Sequence, residues 1–415
     1  MSPRDFERVL WRHVLDPWFP RCLDREHGGF LSGFDLDWNP CGDHHKLLEF
    51  QARQTLCAAE AARRYPAVTH LREAALHGFR CLADCMWDAR HGGWYHRTDR
   101  LGNPLEGATK HTHGFAYAIV ACIAVHTLTG EREPLDLALE AADWLDRHAY
   151  DPVNGGYFGL MTQEGAVIRA PDPAIWNSTR DSLGNPLGIK DANVHTDMLE
   201  PLAALAGTGE CDHALPRLTE LTNLLVTRLL QANGALPYLF HADWTPMQPE
   251  ERTGYLLQGA HRLQRLGRSG TSSAACEDAA LRMVARAVQV YWVSFRGGFR
   301  EIGSIHETER TAGTAPLVKN WWVQWEGLRA LFDCYAAGKR PEYLSYLRAQ
   351  WRYLDRFILD HRRGGTFRHG LDKFGVWQRR VRPSGIVPPH PGKGEVWKDA
   401  SHEARALLHC IERST

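Results

Sequence analysis

Apolar residues recur along the chain at helical spacing, interrupted at regular intervals by paired glycines. Between His111 and Leu128, the residues Phe115, Ile119, Cys122, Ile123 and His126 follow the 3.6-residue period of a helix. Another helical run, Cys81-Leu82-Ala83-Asp84-Cys85-Met86-Trp87, leads directly into His91-Gly92-Gly93-Trp94. The same turn recurs as His27-Gly28-Gly29-Phe30, Asn154-Gly155-Gly156-Tyr157, Arg296-Gly297-Gly298-Phe299 and Arg363-Gly364-Gly365-Thr366-Phe367, with a weaker copy at Asn233-Gly234-Ala235-Leu236. First glycines are 64, 63, 79, 63 and 67 residues apart, so six units of this length account for the chain.

Each unit has the same order: a helix closed by left-handed glycine, a short aromatic β-like segment such as Trp94-Tyr95-His96, a polar loop, and a second helix. Twelve helices in six hairpins predict an all-α (α/α)6 barrel, with residues 1–415 as one domain. An open superhelical solenoid is the competing arrangement. Six copies filling the chain without remainder favour closure, because a solenoid needs dedicated polar caps.

Charge changes the picture by exclusion. Lys+Arg and Asp+Glu both number 49, so no net field recruits nucleic acid or an anionic membrane. Asp5, Glu7 and Arg8 interrupt any apolar run after Met1, and no stretch approaches the roughly 20 apolar residues of a bilayer span. The expectation is a cytoplasmic protein. The ten cysteines are dispersed; Cys81 and Cys85, one helical turn apart, read as small core residues. Fifteen Trp and twelve Tyr exceed what a core requires, and sugar sites use such faces.

The unusual polar residues collect after the glycine turns and at the starts of the following helices: Lys46 to Arg53, Lys110 to His113, Asn193 to Glu200, Gly254 to Gln258, Lys319 to Glu326, and Trp397-Lys398 to His402 and Arg405. In a toroid these ends face one mouth, which predicts a shared central pocket.

These clusters carry a resemblance. Trp397-Lys398-x-x-x-His402-x-x-Arg405, Asn193-x-His195-x-x-x-Leu199-Glu200, Lys319-x-Trp321-Trp322-x-Gln324-x-Glu326, Gly92-Gly93-Trp94-Tyr95 through Lys110-His111-Thr112, and Gln51-Ala52-Arg53 together resemble the N-acylglucosamine 2-epimerase superfamily, which includes cellobiose 2-epimerases and mannose isomerases. The resemblance spans nearly the whole chain. It implies a sugar 2-epimerase or aldose–ketose isomerase without metal or cofactor. His402, His195, Arg53 and Tyr255 would be catalytic; Lys110, His111, Trp321, Trp322, Glu200, Glu326, Gln258, Lys398 and Arg405 would bind substrate. Two departures stand out. Ala400 and Ser401 replace a Pro-Tyr pair, and Gly254-Tyr255-Leu256-Leu257-Gln258 stands where the family carries G-H-x-x-E, so tyrosine replaces a second acid/base histidine.

The residues themselves admit plainer roles. His402 follows the good N-cap Ser401, Arg53 could form a buried ion pair, His195 could be a core histidine, and Glu200 and Glu326 could be salt-bridge partners. His402-Glu403 begins an HExxH zinc motif, but position 406 is alanine; His111 and His113 are two apart and cannot share a helix face; GxxxxGK[ST] and GxGxxG are absent. His241 and His261 read as structural. A histidine of ordinary pKa suits proton abstraction at C2 of an open-chain sugar, and a guanidinium suits the enediolate oxygens. Two other readings remain: a glycosidase using two of Glu200, Glu326 and Asp197, or a non-catalytic sugar-binding protein. The expected partner is a small sugar, with a homodimer compatible.

Overall fold

The computed structural model describes residues 1–268, 273–294, 296–308, 318–338, 340–368 and 392–414. Two kinds of helix follow from two apolar patterns. In Glu133–His148 the buried residues Leu135, Ala138, Ala142 and Leu145 recur at three- and four-residue spacing, leaving a polar outer face. In Leu48–Arg64, by contrast, fourteen of the seventeen residues are buried, polar ones included. A helix covered all round belongs to an inner layer.

In chain order, α1 (Pro3–Leu10) runs through a π-helical turn into the short α2 (Asp16–Trp18). Helices α3 (Leu48–Arg64) and α4 (Thr69–Arg80), α5 (Thr112–Thr129) and α6 (Glu133–His148), α7 (Ala192–Thr208) and α8 (Ala214–Asn223), α9 (Thr253–Arg268) and α10 (Ser273–Arg286), and α11 (Trp321–Gly338) and α12 (Pro341–Phe357) follow as hairpins. Helix α13 (Ser401–Ser414) comes last. Each odd-numbered helix from α3 to α13 packs on the next, and α13 packs back on α3, while α1 covers α13. The ring is therefore closed and the predicted (α/α)6 barrel is the observed fold. Helix α5 is long and apolar enough to cross a membrane, contrary to the sequence expectation, but 67% of it is buried inside the ring.

The glycine pairs do not cap helices as predicted. Helix α4 gives way to a π-helical turn at Cys81–Cys85, and the glycines come seven residues later in a separate loop. There Asp88 N–H donates to Gly93 O and Gly92 N–H donates to Asp88 O, with both glycines at positive φ. Asp24, Asp151 and Asp360 close the turns of their own units in the same way.

Short antiparallel strands join neighbouring units: β1 (Lys46–Leu47) with β2 (Arg97–Thr98), β3 (Lys110–His111) with β4 (Leu160–Met161), β5 (Lys190–Asp191) with β6 (Leu239–Phe240), and β7 (Glu250–Arg252) with β8 (Ile302–Ser304). A single bridge from Phe34 to Gly394 links the first and last units. The long 79-residue spacing is explained by the loop between β4 and β5. It carries two small bridged turns, Asp172 to Trp176 and Arg180 to Pro186, and lies over the ring mouth.

Candidate active site

A cavity of about 360 Å³ opens where the inner helices begin. All six predicted clusters reach it: Arg53 from α3, His113 from α5, Asn193 from α7, Tyr255 and Gln258 from α9, Trp321 and Trp322 from α11, and His402 from α13. It is of the size that encloses a small ligand, and its wall mixes aromatic faces with polar groups.

Geometry singles out His402. Its Nδ1 lies 2.8 Å from Glu326 Oε1, and since a carboxylate only accepts, Nδ1 carries the proton. The other nitrogen, Nε2, is then the basic one in a residue that lines the cavity. Trp321 and Trp322 hold the ring at centroid distances of 6.2 and 5.5 Å. Trp322 can pack there because α9 offers Gly254: a Cβ at that position would lie 2.0 Å from the indole. Burial opposes charge on Glu326, but Arg329, 3.1 Å away, and His402 outweigh it and hold the carboxyl below its usual range. An ionised, anchored carboxylate behind a histidine favours the imidazolium that forms when the histidine takes a proton.

Also in the cavity wall, the Arg53 guanidinium lies 4.0 Å from the Tyr117 ring centroid and 3.7 Å from Asp399 Oδ2. Gln258 Nε2 donates to the Tyr117 hydroxyl at 3.2 Å. His113 sits between two carboxylates, Nδ1 at 3.0 Å from Glu49 and Nε2 at 2.9 Å from Asp197. Burial works against its charge, yet the hydrogen bonds to Asp197 and Glu49 raise its pKa to about 9, so it is a fixed cation. Tyr255 stacks on Tyr238, and burial pushes its phenol above the ordinary range, keeping the proton in place.

Several expected site residues lie elsewhere. His195 is a core histidine: Nε2 accepts from Tyr157 N–H at 2.9 Å, Nδ1 donates to Asp191 O at 2.6 Å, and burial pushes its pKa down to about 3. Lys110 is consumed by the preceding glycine turn, bonding Asp88 Oδ2 at 3.0 Å, Gln163 O at 2.7 Å and Gly92 O. His111 caps α5 by accepting from His113 N–H and faces Asp181 rather than the cavity. Lys398 is buried, its Nζ donating to Lys393 O at 2.6 Å, and burial lowers its pKa to about 8. Glu326 stands behind His402, not in the wall. Glu200 and Arg405 pair with each other, and Arg405 lines a different cavity at the other end of the ring.

Tyr117, Arg252, Glu301 and Arg368 line the cavity outside the residues the sequence pointed to, as do Ser182 and Leu183 from the β4–β5 loop, while Asn320 and Trp397 lie in the polar clusters but had no assigned role. One signal was available: Arg53, Tyr117 and Gln258 each stand seven residues after Lys46, Lys110 and Glu251, the register positions that open their units.

A family profile described as N-acylglucosamine 2-epimerase (GlcNAc 2-epimerase) matches residues 28–385. A cellobiose 2-epimerase of Bacteroides fragilis is 24% identical over 421 residues, spanning 99% of this chain and 97% of that one. Among solved structures, the cellobiose 2-epimerase of Spirochaeta thermophila superposes with a TM-score of 0.83 at 24% identity, covering 99% of this chain and 96% of that one. A D-mannose isomerase superposes with a TM-score of 0.80 at 19% identity, covering 99% and 98%.

Proposed function

The chain belongs to the N-acylglucosamine 2-epimerase family, and from that premise we propose that it is a sugar isomerase acting at C2 of a reducing sugar with His402 as its base. The observation that carries the reading is His402 in the wall of the cavity with Glu326 Oε1 behind it, 2.8 Å from Nδ1. His402 Nε2 takes the C2 proton of the open-chain sugar. The C2–H electron pair becomes the C1–C2 double bond, and the carbonyl pair moves onto O1. Arg53 and the cationic His113 stabilise the resulting cis-enediolate. Return of the proton to C1, with the O2 proton passing to O1, gives the ketose; delivery to the opposite face of C2 gives the epimer.

Isomerisation needs one base, and the cavity supports that count. His195 has both nitrogens engaged, His113 is held between two carboxylates, and Tyr255 keeps its proton, so His402 is left as the group suited to abstraction. Tyr255 can donate to the far face of C2, and through it the site can also epimerise. Metal and cofactor play no part in this scheme, and we place the protein in the cytoplasm as one domain. The glycosidase reading loses support, because Glu200, Glu326 and Asp197 are all ion-paired and none lines the cavity.

NMR of mannose, an N-acylhexosamine and a β-1,4-disaccharide incubated in D2O reports substrate, exchange position and product together. His402→Ala is expected to abolish conversion and C2 exchange by about 10²–10⁴-fold with the fold intact. Tyr255→Phe is expected to keep aldose–ketose conversion and lose C2 inversion. Near wild-type exchange in His402→Ala refutes the base assignment.

A further inference from the structure

At the opposite end of the ring lies a second cavity of about 300 Å³, lined from the later turns of α3 and α9, the middle of α11, and α13 from its second turn onward. Five arginines face it, Arg63, Arg265, Arg329, Arg405 and Arg413, against two carboxylates, Glu60 and Glu412. Arginines in a last helical turn complement the negative end of the macrodipole, which accounts for Arg63 and Arg413. That does not account for Arg329, midway along α11, or Arg405, in the second turn of α13. These two are 3% and 8% exposed.

Buried guanidiniums need full pairing, and here pairing is incomplete. Glu200 is divided among Arg405, Arg262 and Arg265. Glu326 has one oxygen committed to His402 and the other to Arg329. The Nε groups of Arg329 and Arg405 are both buried without a hydrogen-bond partner; Glu60 approaches Arg405 Nε only to 3.4 Å, as an ion pair. Burial lowers the basicity of Arg329, with Glu326 opposing it and the nearby charge of Arg405 adding to it.

We propose that this second cavity binds a small phosphate-type oxyanion, free phosphate or the phosphoryl group of a small metabolite, between the buried Arg329 and Arg405 and the rim arginines Arg265 and Arg413. The planar guanidinium fork matches phosphate oxygens bidentately, and a tetrahedral anion can engage several arginines at once. A volume near 300 Å³ is at the small end for ligand sites, so the anion is compact. The reading is independent of the reaction assigned to the first cavity.

Isothermal titration of the full chain at constant ionic strength, with orthophosphate, pyrophosphate and citrate as separate probes, tests it. Orthophosphate or pyrophosphate is expected to bind saturably at one site per chain, with pyrophosphate tighter if linked phosphoryl groups are the natural ligand. The rim double variant Arg265→Ala/Arg413→Ala is expected to weaken binding about tenfold or more while leaving sugar conversion unchanged. Arg265→Lys/Arg413→Lys, which retains both charges, is expected to recover part of the affinity and serves as the comparison if the alanine variant folds poorly. Absence of saturable binding by both phosphates, preference for citrate, or affinity unchanged in the alanine variant would each overturn the proposal.

Discussion

His402 illustrates how one residue acquires a role from its partner. Four residues away in sequence lies Lys398, but its functional neighbour is Glu326, seventy-six positions earlier on α11. The carboxylate fixes the tautomer and, in the proposed mechanism, supplies the counter-charge for the imidazolium. Glu326→Gln keeps the shape and removes the charge. Hydrogen bonds to charged groups contribute about 1.5–3 kcal/mol, so kcat/KM is expected to fall roughly 10- to 100-fold. Steady-state kinetics of both proteins measure this; an unchanged rate would remove Glu326 from the mechanism.

At the scale of the element, the repeating device is a locked turn. An aspartate closes the glycine loop, and a lysine from the next unit reaches back to it: Lys110 to Asp88, Lys190 to Asp151 at 2.7 Å, Lys393 to Asp360. A side chain five residues after Lys46, Lys190 and Lys319 clamps the aromatic segment of the glycine turn. Gln51 bonds both N–H and C=O of Phe30, Gln324 does the same for Phe299, and His195 accepts from Tyr157. His195 therefore belongs to a structural series. The lock depends on glycine at one point in particular. Gly156 has φ +74, and a Cβ there would lie 2.5 Å from Trp244 and 2.7 Å from His195. Gly156→Ala combines left-handed strain of about 1–2 kcal/mol with overpacking of about 1–3 kcal/mol. Gly209, at φ +72 with nothing within 4 Å, carries only the first cost. Thermal melts are expected to show a clearly larger drop in Tm for Gly156→Ala than for Gly209→Ala. Equal drops would mean the clamp is not tightly packed.

Across the whole molecule, closure couples the units. Helix α13 contacts α3, and the Phe34–Gly394 bridge joins the two ends, so the described units form a closed ring. A ring has no preferred place to divide. Unfolding followed by circular dichroism and by calorimetry is expected to give coincident single transitions, as one domain requires. Two separated transitions would divide the chain into independent domains. The same closure gives the ring two different ends, with aromatic and proton-handling groups at one and excess arginine at the other.

The sequence alone determined what repeats. The paired glycines, the 3.6-residue periodicity and the polar clusters are local signals recurring six times, and together they specified hairpin number, barrel class and the mouth where the clusters meet. The family resemblance carried by those clusters implied roles for His402, Arg53, Tyr255, Gln258, Trp321 and Trp322, all of which line the cavity. Tertiary structure decided which polar residues within a cluster turn inward. Lys398 is spent on the carbonyl of Lys393, five residues before it, while Lys110, His111, His195, Glu200, Glu326 and Arg405 share the clusters and resemble site residues, yet each is taken up by a buried partner elsewhere in the chain. Those partners lie tens to hundreds of residues away, so no local pattern reveals them. A buried charge is satisfied by whichever group the packing brings beside it, and only the closed ring makes that pairing.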